Sequence, residues 1–242
     1  EVLEQLDRIA SPATVHSTGG RYFGFVNGGT DPAARAAAIL GAAWDQNVAL
    51  PVMSPAAARI DEIASSWVRR LLGLPVSALA TFCSGASVAN LICVVAARDA
   101  LLHRLGWEVA KDGLAGSPPL RVVAGAEAHA SLLKALRVAG LGASAVTYVD
   151  TDAWGRLRPE MMPQVDERTL VLLQAGNVNT GHSDPFAALV PAIHARGGWV
   201  HVDGAFGLWA AASERRRHLV AGFELADSWA TDAHKYLNAP YD

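Results

Sequence analysis

The segment "TDAHKYLNAPYD", residues 231–242, places a lysine, Lys235, directly after His234 in mostly uncharged surroundings. A lysine amine that loses its hydration favours the neutral form, and a neutral amine can attack a carbonyl carbon. Schiff-base formation is the chemistry that uses a lysine in this way. A solvated surface charge and a salt-bridge partner are the alternative interpretations of Lys235.

Two further residues could act together with such a lysine. Asp203 closes the apolar run "WVHVD", and a carboxylate at the end of a buried strand requires a cationic or strongly donating partner. That partner is either a structural ion pair or helix cap, or the ring nitrogen of a ligand, with Ala205 presenting its methyl group on the same side. His129 follows Glu127 at another strand end, and it is either a helix cap or core histidine, or a ring that stacks on a planar cofactor.

The turn "SGAS", residues 84–87, leads into a helix predicted to begin near Ser87. Gly85 and Ala86 let a ligand approach the backbone, the helix N-terminus offers unpaired N–H groups, and Ser87 adds a hydroxyl, which together suit a phosphate. A plain strand-to-helix connection is the alternative, since the turn is neither a P-loop nor a G-x-G-x-x-G motif. A phosphate turn, a buried carboxylate, a stacking ring and a Schiff-base lysine are together the groups that pyridoxal phosphate (PLP) requires.

The elements that must position these groups are strands alternating with helices. After Gly73 short apolar runs alternate with helical segments, which predicts an α/β fold with a mostly parallel sheet covered by helices. The predicted strands are 78–82, 120–125, 145–150, 169–175, 199–203 and 227–232. Ligands of such sheets bind beyond the carboxyl ends of the strands. We therefore expect the polar residues that follow the strands to converge.

Composition limits the kind of partner. The chain of 242 residues is 51% hydrophobic and 18% charged, with a net charge of -3, which is typical of a soluble globular protein rather than of one that binds nucleic acid. Its longest apolar runs are shorter than the roughly 20 residues that a membrane helix requires. The acidic first residues are unlike the cationic start of a signal peptide, so we expect a cytoplasmic location without membrane attachment.

Several segments resemble the group II amino-acid decarboxylases, the PLP-dependent family that includes aromatic-L-amino-acid, glutamate and histidine decarboxylases. The resemblance is carried by "HVDGAFGLWA" and "ADSWATDAHKYLN", and upstream by "FGFVNGGTDP", "SGASVANLICVVAAR", "AEAHASLLKALRVAGLG" and "QAGNVNTGHSDPF", in the same order as in that family. It covers nearly the whole chain. The aspartate and lysine are shared with other enzymes of the same fold, whereas the histidine motifs around His129 and His234 are more specific.

This resemblance implies a role for each matching residue. Lys235 matches the lysine that holds PLP as a Schiff base, and Asp203 matches the aspartate paired with the pyridinium nitrogen. Ala205 and His129 match the residues on the two faces of the ring. The other implied cofactor contacts are Gly85, Ala86 and Ser87 at the phosphate, His234 near the phosphate and substrate, and Asn177 near the cofactor hydroxyl.

The resemblance also implies an architecture and an activity. The expected fold is the aspartate-aminotransferase-like large domain of fold type I, and the expected reaction is decarboxylation of an L-amino acid to the amine and CO2 in a homodimer with active sites at the interface. Residues 1–74 are expected to form an N-terminal helical segment with a glycine- and aromatic-rich loop, and residues 75–242 the PLP-binding domain. The C-terminal small domain and a mobile loop bearing a catalytic tyrosine are expected beyond Asp242, which makes the chain the core of a longer enzyme.

Some questions stay open at this stage. Asp232 replaces an asparagine common in the family, and we expect it to face an arginine or to cap a helix. Tyr22, Phe23, Phe25 and Trp44 indicate either an aromatic pocket or ordinary core packing.

Three alternatives to the decarboxylase also remain. A metal-dependent hydrolase would use the spacing of two residue pairs, His201 with Asp203 and Asp232 with His234. An incomplete homologue would bind the cofactor or a partner chain without catalysis. Other PLP chemistry, such as transamination or aldehyde synthesis, would use the same core.

Overall fold

The computed structural model describes residues 1–240, so the last two residues of the expected PLP-binding domain lie outside the described part. The α-helices are α1 (Val2–Ala10), α2 (Pro32–Trp44), α3 (Pro55–Leu72), α4 (Gly85–Arg104), α5 (Val109–Asp112), α6 (Ala130–Val138), α7 (Phe186–His194) and α8 (Ala233–Tyr236). The strands are β1 (Arg121–Gly125), β2 (Val146–Val149), β3 (Thr169–Gln174), β4 (Trp199–Asp203) and β5 (Ser228–Ala230). Short 3-10 helices, of which Gly207–Ala212 is the longest, make up part of the connections.

The five strands form one parallel sheet in the order β2-β1-β3-β4-β5, which confirms the α/β prediction. Five of the six predicted strands are present within a residue or two. The strand predicted at 78–82 is wrong: this segment forms no strand, Leu79 is 97% exposed, and Arg69 instead donates to the backbone oxygens of Val76 and Ala78. A strand needs a neighbour for its backbone groups, and the described strands pair only among themselves.

Alternating side chains of the strands pack into two core layers. On one face Val122, Leu170 and Leu172 contact the apolar sides of α4 and α6. On the other face Val171 and Val200 pack with α7 and with the 3-10 helices after β4. Because side chains alternate along a strand, His201 and Asp203 of β4 point to the side of α4 and α6.

Helix α4 is long and apolar enough to cross a membrane by length and composition, with a mean hydropathy of 1.5. Its residues Val94, Ala97, Leu101 and Leu102 are buried against the sheet and α6. The packing of α4 in the core accounts for its apolar composition.

The region before α4 has a largely exposed apolar surface. Helix α3 ends as predicted at Gly73, with φ of 67°, and buries Leu72 in the core. By contrast, Phe23 and Phe25 are 89% and 85% exposed, and Trp44 is also exposed. The interpretation as core packing is therefore wrong for Phe23 and Phe25, whereas Trp44 is half exposed and Tyr22 is half-buried. The division between residues 1–74 and 75–242 remains a prediction.

Candidate active site

Asp203 lies at the carboxyl end of β4 and brings the main predicted groups together. Its side chain is almost fully buried, and Oδ1 accepts a hydrogen bond of 3.2 Å from the Ala205 N–H. Burial raises the pKa of Asp203, whereas the Ala205 N–H, His129, the Asn90 side chain and Lys235 lower it. Because Asp203 ends β4, His129 follows β1 and Lys235 follows β5 in a parallel sheet, these three residues lie at one edge of the sheet as expected.

Lys235 is held in the short helix α8, directly after β5. Asp232 caps this helix, since its Oδ1 accepts from the His234 N–H at 2.9 Å. The Lys235 Nζ lies 3.9 Å from Asp232 Oδ2 and 6.0 Å from the centre of the Phe206 ring, and its side chain is 23% exposed. Lys235 is therefore half-buried and makes one long ion-pair contact. Asp232 caps a helix, which is one of the two roles expected for it.

His129 is the N-cap of α6. Its Nδ1 accepts from the Ser131 N–H at 3.2 Å and lies 2.8 Å from the Ser131 hydroxyl. The helix-cap interpretation is correct, but it uses only one ring nitrogen. The side chain remains exposed, so a face of the ring is available to a planar ligand.

The turn predicted to hold phosphate forms the start of α4. Gly85 is the first helical residue with φ of 82°, and Ser84 makes no capping hydrogen bond with its side chain. Asn90, little more than one turn later, contacts His201 of β4 at 2.9 Å. At 1.5 Å per residue the first N–H groups of α4 therefore lie about 7 Å beyond that contact, on the side where β4 ends.

Two residues expected to contact the cofactor make other bonds in this structure. Asn177 is buried and donates from Nδ2 to Glu127 at 2.7 Å, while its Oδ1 accepts from the Asn179 N–H. Glu127 precedes His129 by two residues, so Asn177 is linked to the site through the Glu127 carboxylate. Within the lysine segment, residues 231–240, His234 Nδ1 lies 3.4 Å from the backbone oxygen of Ala239.

The glycine-rich loop before α2 packs on the lysine segment. The Gly29 N–H donates to Asn238 Oδ1 at 2.7 Å and the Asp31 N–H donates to the Asn238 backbone oxygen at 2.8 Å. Phe25 and Val26 have positive φ of 59° and 57°, which is rare for bulky residues. Sequence reasoning missed this contact, because nothing in either segment identifies the other.

We expect Gly28→Ala to displace this loop from α8. A Cβ at position 28 would overlap the backbone oxygens of His234 and Lys235, whereas at Gly29 the nearest atom is Asn238 Oδ1 at 3.9 Å. Amides 234–238 should exchange with solvent about tenfold faster or more in Gly28→Ala, since loss of about 1.4 kcal/mol of local stability corresponds to tenfold. Hydrogen exchange by mass spectrometry measures this, with Gly29→Ala as the matched control, and equal exchange in both variants would contradict the docking.

His201 occupies a buried polar position under the site. Its Nδ1 lies 3.0 Å from the Ser228 hydroxyl and its Nε2 lies 2.9 Å from Asn90 Oδ1. Both ring nitrogens therefore have protein partners. Within residues 1–240 no group of three or more His, Cys, Asp or Glu side chains could hold a metal ion, so the four residues of the hydrolase alternative do not assemble a metal site.

We expect His201 to make the fold sensitive to acid. Burial lowers its pKa from 6.5 to about 4, so the unfolded chain takes up a proton before the folded chain does. The free energy of unfolding should fall as pH drops below 6.5 and should level off below about 4, a loss of about 3 kcal/mol. Burial of Asp184 raises its pKa to about 6 and acts in the opposite direction, so wild type must be compared with His201→Gln in urea unfolding at pH 7 and pH 4.5. If the free energy of unfolding changed equally in wild type and His201→Gln between the two pH values, the assignment would be refuted.

A groove of about 790 Å³ opens beside the lysine segment, and Phe206 and Tyr236 form part of its wall. Arg156 and Arg216 give this wall a cationic side, and His182 also lines it. The volume lies in the range of ligand pockets, about 300–1,000 Å³.

Comparison with known proteins gives a consistent result over the whole chain. The family model described as "Pyridoxal-dependent decarboxylase conserved domain" matches residues 1–242. Cysteine sulfinic acid decarboxylase of Mus musculus is 30% identical over 231 residues, which cover 90% of this chain and 45% of that protein. Phenylacetaldehyde synthase of Arabidopsis thaliana is 32% identical over 220 residues, which cover 84% of this chain and 42% of that protein.

Solved structures agree with these sequence matches. The crystal structure of Oryza sativa TDC with PLP and tryptamine superimposes with a TM-score of 0.81 and 26% identity, covering all of this chain and 52% of that one. The chain thus spans about half the length of the curated relatives that it matches.

Proposed function

The chain belongs to the pyridoxal-dependent decarboxylase family, and on this premise we propose that the protein containing it converts an L-amino acid to the amine and CO2 with PLP. The observation that carries the proposal is the convergence of Asp203, His129 and Lys235 at the carboxyl edge of the sheet. The chain then contributes the cofactor-binding core of the enzyme.

The residues of this edge fit PLP in their chemistry. Asp203 is a buried carboxylate whose pKa is raised by burial, and a protonated ring nitrogen is the type of donor that such a group needs. The N-terminus of α4 presents the N–H groups of Ala86 and Ser87, which suits the phosphate, while the Gly85 N–H donates to the Cys83 backbone oxygen at 3.0 Å. Lys235 is the lysine whose charge acts on Asp203, and the other two lysines of the chain, Lys111 and Lys134, are exposed on α5 and α6.

Each residue has a defined task in this proposal. Lys235 would supply the amine that holds the cofactor through its aldehyde group. Asp203 keeps a proton on the ring nitrogen, and Ala205 and His129 confine the two faces of the ring. His234 would act near the phosphate and the substrate, and Asn177 near the cofactor hydroxyl. When bound, PLP supplies the electron sink that accepts the electron pair of the bond broken at Cα.

The net reaction balances without a further reactant. CO2 leaves Cα, its bonding electrons stay with the substrate, and a proton takes the place of the carboxylate at Cα to give the amine. Asp203 contributes through its fixed charge and His129 through orientation.

An absorbance spectrum tests the proposal directly. The full-length protein with added PLP should show the band of a lysine Schiff base, and it should release CO2 together with amine from at least one member of a panel of amino acids. Cofactor binding without turnover of any amino acid would support the non-catalytic homologue instead. A protein that gives no Schiff-base band would disprove the proposal.

Aldehyde synthesis is the second candidate, and it is favoured by the 32% identity to a phenylacetaldehyde synthase. That reaction also releases CO2, but it consumes O2 and water and yields the aldehyde, ammonia and hydrogen peroxide. Measuring amine against aldehyde and peroxide in the same assay separates the two reactions.

We also propose a homodimer whose interface includes the region before α4. The support is the exposed apolar surface of α1–α3 and their loops, including Leu3, Phe23, Phe25, Met53 and Trp67. Exposed apolar surface rimmed by polar residues marks interaction sites in many proteins. Light scattering after gel filtration should give twice the chain mass, and a monomer would contradict the proposal. The cytoplasm is the proposed location, which fractionation of the source cells would test.

A further inference from the structure

A chain of hydrogen bonds under the candidate site converges on Asn90, a residue of α4. Asn90 Oδ1 lies 2.9 Å from His201 Nε2, and Asn90 Nδ2 donates to the Ser131 hydroxyl at 3.4 Å. Ser131 in turn contacts His129 Nδ1 at 2.8 Å. Asn90 and His201 are both fully buried, so neither amide end of Asn90 can exchange its partner for water.

The partners of His201 determine which way the Asn90 amide points. An amide oxygen can only accept a hydrogen bond, so the proton of the neutral His201 ring must lie on Nε2. The other nitrogen, Nδ1, then accepts from the Ser228 hydroxyl at 3.0 Å. Trp199 Nε1 donates to the same hydroxyl oxygen at 3.1 Å, which leaves the Ser228 proton free to point at His201. Each donor in this series of hydrogen bonds therefore has an acceptor, and the protons of Trp199, Ser228 and His201 all point toward Asn90.

The fixed amide turns its NH2 group toward the site. Asn90 is one of the groups that lower the pKa of Asp203, and His201 and Asp203 lie on the same side of β4, two residues apart. The reverse orientation would bring the amide oxygen against the Asp203 carboxylate, which is repulsive. One NH2 group thus serves Asp203 on one side and the Ser131–His129 pair on the other.

We propose that Asn90 is a positioning residue that couples Asp203 to His129, and that His201 sets its orientation through the Nε2 proton. Its importance for cofactor binding rests on the proposed function. Asn90 restrains the Asp203 carboxylate through its NH2 group, and through the Ser131 hydroxyl it restrains the ring of His129.

Neutron diffraction from crystals of the full-length, perdeuterated protein without added cofactor tests the orientation. We expect deuterium on Nε2 of His201 and on the Ser228 hydroxyl, with the Asn90 nitrogen toward Ser131 and Asp203. Deuterium on Nδ1 of His201 with none on Nε2 would mean a reversed amide and would overturn the proposal, whatever the reaction of the enzyme.

The coupling to Asp203 is tested by comparing PLP with its 1-deaza analogue, which carries C–H in place of the ring nitrogen. Wild type should bind PLP more tightly than the analogue, and Asn90→Leu should reduce this ratio of dissociation constants by about tenfold or more, equivalent to about 1.4 kcal/mol. Val94→Ala, a buried change on the same helix, should leave the ratio unchanged even if it lowers stability. An unchanged ratio in Asn90→Leu would overturn the coupling. A wild type that forms no Schiff base would instead overturn the proposed function, and the neutron result alone would then decide the orientation of the Asn90 amide.

Discussion

Lys235→Ala is expected to abolish the Schiff-base absorbance band and to lower the rate of decarboxylation by about 10³-fold or more. The variant removes the Lys235 amine, and with it both the covalent attachment and the prepositioned nucleophile. The fold should be retained, because the only ion pair of Lys235 within residues 1–240 is the 3.9 Å contact with Asp232. The spectrum and the release of CO2 are measured on the full-length protein with added PLP.

The small number of lysines in the chain permits a sharp control. Lys111 and Lys134 are exposed, and Lys111→Arg and Lys134→Arg should leave the band and the rate unchanged. Lys235→Arg keeps the positive charge beside Asp232 but cannot form the Schiff base, so it should behave like Lys235→Ala. Borohydride reduction followed by peptide mapping should place the label on the peptide that contains residue 235. A label on residue 111 or 134 in wild type would show that the assignment of the amine is wrong.

Asp203→Asn is expected to lower the rate by about 10²–10³-fold, the usual effect of losing one preorganised electrostatic partner of the reacting centre. The change keeps the shape of the side chain but removes the charge that holds a proton on the ring nitrogen. Because burial of this carboxylate is costly, as its raised pKa shows, the protein without cofactor should be as stable as wild type or more stable. Urea unfolding and steady-state kinetics on the same preparation test both parts, and lost activity explained by lost stability would contradict the assignment.

Asp184 provides a matched control for that measurement. It is a buried carboxylate at the start of the segment before α7, but both of its oxygens accept backbone hydrogen bonds, from the N–H groups of Leu157 and Gln174 at 2.6 and 2.7 Å. Asp184→Asn should leave one of these N–H groups without an acceptor and destabilise the fold by about 1–3 kcal/mol. The two aspartates should therefore show opposite effects on stability.

The positions of the main site residues could be predicted because parallel strands end at one edge of a sheet. Asp203 ends β4, His129 follows β1 and Lys235 follows β5, so the alternation of strands and helices was enough to bring them together. The segment 78–82 has the composition of a strand but no strand beside it to pair with in the described chain. Composition carries no information about such a pairing strand.

The contacts that the sequence did not reveal join residues from distant elements. Asn90 lies in the apolar run "ANLICVVAA", where helical spacing indicates a buried side chain but not its partner, His201, which is 111 positions away. Composition also failed to distinguish a covered aromatic side chain from an uncovered one, so Phe23 and Phe25 could not be assigned to the surface. Both failures concern which surfaces meet, which depends on three-dimensional packing.

The contact between Gly29 and Asn238 also has a consequence in time, because 209 positions separate its two residues. At synthesis rates of about 5–20 residues per second, Asn238 emerges about 10–40 s after Gly29. Throughout that interval the segment on which the glycine-rich loop packs has not yet been synthesised, and the exposed aromatic residues of the loop are available to chaperones. The order of assembly in the cell should therefore run from the sheet to the lysine segment, with the loop that was made first docking last.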